Sequence, residues 1–249
     1  MKKCIAAIVA ALILSAFIIG ASACSCSGVE QVGRAYGLVH NYYVASVTVT
    51  RNGDKVIKVG FEETEGPASW AKRANIKDET AADVEFTEGG FAKCIGIGSL
   101  TFTATDETAT KTPSYKRSGD DVTFEQWVKT EQNAKFYVEA MASGDYRLLK
   151  ADGSAADIDF SVEKNGLKKG ERWLKSKNGY WSGANYSLGW QGNINKMSDY
   201  LVRHGFAAYT GNETADDNGF TVGGVQTGAT LVDFHDYMKL AKKAYDSAM

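Results

Sequence analysis

The stretch "YYVASVTVTRNGDKVIKVGFEE", Tyr42 to Glu63, sets the fold class. Tyr42 to Thr50 is rich in β-branched and aromatic residues, and "KVIKVGFEE", Lys55 to Glu63, resumes that character after the turn "RNGD". Two such runs joined across Asn-Gly predict an antiparallel hairpin. Glycine accepts the positive φ of a tight turn, and branched side chains suit a pleated, half-buried surface.

Working outward, "EGPASWAKRAN" breaks the strand pattern and puts Trp70 under a loop or short helix. "FAKCIGIGSLTFTAT", Phe91 to Thr105, predicts one or two further strands, in which Ile95 and Ile97 alternate with glycines. The spacing next predicts one helix over "TFEQWVKTEQNAKFYVEAMAS", with Thr123 and Gln126 as a capping box. Phe124, Trp127, Val128 and Met141 in it read as core. "YRLLKADGSAADIDFSVEK" is polar and turn-rich around a short strand. "NINKMSDYLVRHG" places Ile194, Met197, Tyr200 and Leu201 at helical spacing and ends at Gly205, a C-cap residue. Leu231, Phe234, Tyr237, Met238, Ala241 and Ala244 form a last apolar stripe. The expected class is α+β: a hairpin-rich antiparallel sheet packed with several helices, including a C-terminal amphipathic one.

Met1-Lys2-Lys3 followed by an apolar run to Ala23 has the layout of an export signal. The run ends in Ala21-Ser22-Ala23-Cys24, which resembles the bacterial lipobox, with Ala21 where that pattern prefers Leu. Residues 1–23 are thus expected as a lipoprotein signal, Cys24 as the lipidated residue, 24–34 as a tether and 35–249 as one domain with an elaborated middle. Two or three acyl chains, at ~0.8 kcal/mol per buried methylene, hold a protein on a membrane face without spanning it. A spanning anchor is the competing reading of the same run.

Composition removes several chemistries. A formal charge of −2 with no Lys/Arg cluster disfavours nucleic acid as a partner. With Cys24 lipidated, Cys26 and Cys94 are too few for a cluster or a cysteine-rich zinc site, although they are able to pair in an oxidising compartment. His40, His204 and His235 show no metal-ligand spacing, and no GxSxG elbow occurs.

The remaining feature is "GVQTGATLVDF", Gly224 to Phe234. Thr230 reads as the N-cap of the last helix, with Asp233 in its first turn, while Gly223, Gly224 and Gly228 shape the turn. A helix start of this kind also offers N–H groups to a phosphate.

"TGAT", Thr227 to Thr230, resembles the acceptor sequence of the FMN-binding domain family, found in sodium-translocating NADH:quinone reductases, Rnf complexes and flavinylated extracellular lipoproteins. The family pattern is Asp-x-x-Ser/Thr-Gly-Ala-Thr, and here Gly224 stands in place of the Asp. "YGLVHNYYV", "GPASWAK" and "NGYWSGANYSLGWQGNI" resemble further blocks of the lipoprotein members, in the same order. The resemblance implies FMN joined through its phosphate to Thr230 by a flavin transferase, within a loop shaped by Thr227, Gly228 and Ala229. Trp181, Tyr186 and Trp190 offer flat area for the isoalloxazine, though each is equally readable as core. His40 and Asn185 are expected polar neighbours.

The function expected from the resemblance is electron transfer outside the cytoplasm. Electrons would come from a membrane quinol or flavoprotein complex and pass to soluble or surface acceptors. No turnover constellation is visible, so a carrier is favoured over an enzyme. The alternatives are a solute- or carbohydrate-binding surface lipoprotein without cofactor and, more remotely, a flavin-dependent reductase.

Overall fold

The computed structural model describes residues 28–77, 81–107, 111–158, 160, 167, 169–178 and 187–249. The expected signal, Cys24, Cys26, Trp181, Asn185 and Tyr186 lie outside these residues.

The hairpin forms as expected, from β2 (Tyr43–Asn52) and β3 (Lys55–Thr64), closing at the Asn52↔Lys55 pair. A third strand, β1 (Gln31–Val39), pairs antiparallel with the other edge of β2. The sheet therefore begins inside the stretch expected as tether. Alternation along β1 and β2 feeds two separate cores. Ala35, Val39, Ala45, Val47 and Val49 face one, whereas Tyr36, Leu38 and Val44 face the other. Both faces of this sheet thus contribute to a core, while Val32 and Ile57 stay exposed.

One core lies under a second antiparallel sheet, ordered β6-β5-β4-β7: β4 (Cys94–Ile97), β5 (Leu100–Glu107), β6 (Pro113–Arg117) and β7 (Tyr146–Leu148). The short α1 (Pro67–Trp70) buries Trp70 completely, and its indole N–H donates to the Tyr137 hydroxyl at 3.2 Å. The single helix expected from Thr123 is instead two, α2 (Phe124–Trp127) and α3 (Glu131–Ser143). The Thr123–Gln126 capping box is present, but Thr130 caps a second helix by accepting the Asn133 N–H, and the Asn133 side chain donates back to Trp127 O at 2.8 Å. Two good caps seven positions apart favour a break over a continuous helix.

The other core lies between the first sheet and two long helices. After the short α4 (Lys175–Asn178) come α5 (Gly189–His204) and α6 (Phe234–Ser247). Gly205 ends α5 with φ +65°, as expected of a C-cap glycine. Helix α6 lies directly on β1: a Cβ at Gly33 would stand 1.8 Å from Ala244 O, so only glycine permits the approach. A small third sheet, β10-β9-β8, comprises β8 (Ala215–Asp216), β9 (Gly219–Val222) and β10 (Val225–Gln226), and delivers the chain to the TGAT segment. The chain is mixed α+β, with three antiparallel sheets and six helices among the described residues.

Candidate functional site

The glycines before TGAT make a hairpin turn. Gly223 and Gly224 have φ of +57° and +79° and join Val222 to its partner Val225, the two positive φ values that a type I′ turn demands. The segment after β10 is then tied down atom by atom. Thr227 donates to Phe220 O through both its N–H and its hydroxyl, each at 2.8 Å, and the same hydroxyl accepts the Ala229 N–H at 3.1 Å. Ala229 O in turn accepts the Phe220 N–H at 2.9 Å. Thr227 and Ala229 are buried, and Phe220 stacks on Phe234 with ring centroids 4.3 Å apart.

Thr230 differs from its neighbours in being exposed. Its N–H donates to Asn193 Oδ1 at 2.6 Å, while its hydroxyl stands 3.4 Å from the same oxygen. Asn193 is itself buried on α5, where its amide nitrogen donates to Gly189 O at 2.8 Å. The backbone of Thr230 is thus fixed while its hydroxyl is held only by a long contact. Thr230 is not the helix cap, however. A turn closed by Phe234 N–H to Leu231 O at 3.0 Å intervenes, and α6 starts at Phe234 with Asp233 as its N-cap residue. The Asp233 carboxylate takes the His40 ring nitrogen at 2.6 Å in place of a backbone N–H. His40 and Asn41 hold left-handed φ values of +50° and +58° in the turn between β1 and β2, which presents the ring to Asp233.

One helical turn from Asn193, Trp190 is 3 % exposed and sits in the core, the other of the two readings that its sequence offered. Its indole N–H is shared between Glu63 Oε2 at 3.2 Å and the Tyr237 hydroxyl at 2.9 Å. Glu63, fully buried at the end of β3, pairs with the buried Lys175. The Lys175 ammonium also lies over the Tyr43 ring, 3.8 Å from its centroid. Burial pushes the Glu63 carboxyl up to about 7, the Lys175 charge opposes that rise, and Asp233 adds to it. Sequence reasoning missed this pair because Glu62-Glu63 looks like a solvated strand end.

A cleft of about 300 Å³ opens beside the TGAT loop, lined by Lys196, Asp199, Tyr200, Arg203 and His204 of α5 and by Val225 to Gly228. Among the described residues no His, Cys, Asp and Glu group is arranged to hold a metal ion, and no helix is long and apolar enough to cross a membrane. Cys94 is half-buried and forms no disulfide among the described residues. Of the residues expected at the site, the structure brings together Thr227, Gly228, Ala229, Thr230 and, through Asp233, His40. No protein-family model, curated protein or solved structure matches this chain.

Proposed function

We propose that this protein is an exported electron-carrying flavoprotein, held on a membrane face by lipid on Cys24 and bearing FMN esterified through its phosphate to Thr230. The observation that carries the reading is the contrast inside TGAT: Thr227 and Ala229 are buried and bonded, whereas Thr230 is exposed and its backbone, not its hydroxyl, bears the strong bond to Asn193. Esterification removes only the hydroxyl proton and leaves the 2.6 Å backbone anchor in place. The residues fit the group in this respect, and the resemblance of TGAT to a flavin acceptor sequence supports it. Val232, two residues on from Thr230, is 77 % exposed, and Tyr42, a neighbour of the His40 ring that meets Asp233, is 61 % exposed, which is apolar surface that an isoalloxazine would cover. Trp181 and Tyr186 stay as further stacking candidates.

A covalent bond suits an exported carrier, because dilution outside the cell removes a cofactor held by affinity alone. When attached, FMN supplies the redox chemistry, and the chain holds and orients it. The partners on this reading are a flavin transferase, a membrane quinol or flavoprotein complex as donor, and a soluble or surface acceptor.

Coexpression of the domain with a flavin transferase, followed by intact mass and visible spectrum, tests the reading. The expected result is a yellow protein heavier by FMN less water, and a colourless Thr230→Ala variant of unchanged mass. An unmodified wild type would overturn it and leave a solute-binding lipoprotein as the better description.

A further inference from the structure

The cleft beside the TGAT loop is built from one face of α5 and the backbone leaving β10. Lys196, Tyr200 and Arg203 follow one another at helical spacing, so the two cations stand about two turns, ~10 Å, apart along the same rim. Among the described residues neither Lys196 nor Arg203 is engaged in an ion pair. Asp199 is the carboxylate of the lining, so Lys196 and Arg203 outnumber it. Arg203 and His204 occupy the last turn of α5, where positive charge complements the helix dipole whatever else it does. Lys196 does not share that explanation: it stands mid-helix, and its stem is laid against Gly228, whose hypothetical Cβ would lie 3.5 Å from Lys196 Cδ. Gly228 has φ +72°, and its N–H has no partner among the described residues. The neighbouring Thr227 is locked to Phe220, so this wall of the cleft is rigid.

We propose that this cleft binds the phosphate or carboxylate group of a free small molecule, a ligand additional to any group carried on Thr230. Lys196 and Arg203 supply the charge, and the Gly228 N–H supplies a directional donor between rigid walls. His204, exposed and stacked on the buried Tyr200 with ring centroids 5.0 Å apart, gives the rest of such a ligand a flat side to lie on. The inference stands apart from the flavin reading, since nothing in it requires Thr230 to be modified.

The test is calorimetric titration of inorganic phosphate into the chain made without a flavin transferase, repeated on the flavin-loaded chain. Saturable binding is expected, at least tenfold weaker in Lys196→Ala/Arg203→Ala and unchanged in Lys129→Ala/Lys239→Ala, which removes two exposed lysines elsewhere; circular dichroism checks that both variants fold. Binding is expected to persist in the loaded chain. Unsaturable binding, or equal weakening in both double variants, overturns the site. Loss of phosphate binding on loading also overturns it, by assigning the cleft to the attached cofactor's own phosphate. If the chain takes no flavin, the flavin reading fails alone and the titration of the unmodified chain still decides the cleft.

Discussion

The Thr230 N–H donates to Asn193 Oδ1 at 2.6 Å, which ties the TGAT loop to α5 across 37 residues of chain. Because the Asn193 amide nitrogen is also engaged, with Gly189 O at 2.8 Å, both ends of one buried side chain are used. Asn193→Ala leaves the Thr230 N–H and the Gly189 carbonyl without these partners, and a stability loss of about 1–3 kcal/mol is expected from urea denaturation. Asn193→Asp keeps the acceptor but sets a second carboxylate oxygen against Gly189 O in a buried position, so at neutral pH its loss is expected to be at least as large and to shrink as pH falls and the carboxyl is protonated. On the flavin reading, Asn193→Ala also lowers the fraction of chains modified, read by intact mass. Equal stability of Asn193→Ala and wild type would show that the loop does not depend on this anchor.

The buried Glu63–Lys175 pair makes a pH prediction. Burial raises the folded-state Glu63 carboxyl from 4.5 to about 7. Between those values the folded chain keeps a proton that the unfolded chain has released, so stability from this group is full below about 4.5 and is lost as pH rises towards about 7. Glu63→Gln removes that slope, measured as the difference between wild-type and variant unfolding free energies across the window. Above about 7, where wild-type Glu63 carries its charge, the variant lacks the counter-charge of Lys175, whereas below about 4.5 both chains set a neutral group beside Lys175 and are expected to match. Glu63→Gln/Lys175→Met removes the buried charge altogether and is expected to be at least as stable as Glu63→Gln. A wild type and Glu63→Gln with parallel pH profiles would mean that Glu63 does not titrate in this range.

What could be read from the chain before folding was what local pattern encodes. The β2–β3 hairpin follows from alternation around Asn52-Gly53, and Gly205 closes α5 because a left-handed C-cap suits glycine. The break between α2 and α3 was missed because Thr123 and Thr130 both make good caps, and a continuous apolar pattern runs past the second. Thr230 looked like a cap for the same local reason. The helix starts later, after the turn closed by Phe234 N–H to Leu231 O, and its N-cap residue Asp233 meets His40, a partner 193 positions away that no window of sequence contains. The Glu63–Lys175 pair is illegible for a related reason: charged residues are usually solvated, and only the packing of α4 against β3 buries this one. At the candidate site the TGAT segment was legible as a motif, whereas Asn193, which holds it, carried no signal beyond its place on a helix.

The Gly223-Gly224 turn separates two substitutions that look alike in sequence. A side chain at Gly224, φ +79°, meets open space, so Gly224→Asp is expected to cost only the left-handed strain of about 1 kcal/mol, which Asp tolerates better than most residues. At Gly223 the added Cβ would stand 2.3 Å from the Ala208 side chain, so Gly223→Asp is expected to lower the melting temperature clearly further. Gly224→Asp also restores the acidic residue of the flavin acceptor pattern. On the flavin reading it raises the rate of modification by the transferase while slightly lowering stability, and the two effects are measured independently.

Trp190 provides the sharpest separation between core and cofactor roles. Its N–H serves both Glu63 Oε2 and the Tyr237 hydroxyl, so Trp190→Phe keeps an aromatic ring but removes the donor from a buried carboxylate. A loss of about 1.5–3 kcal/mol is expected from the hydrogen bond, with a further increment from the smaller ring. Because this indole N–H holds the Glu63 carboxyl down against burial, the variant should shift the pH dependence assigned to Glu63 upward. The visible spectrum of a flavin-loaded Trp190→Phe chain should match the wild type, since a ring 3 % exposed and bonded inward has no face open to a surface cofactor. A changed flavin spectrum with unchanged stability would reverse the assignment, placing Trp190 against the isoalloxazine and outside the structural core.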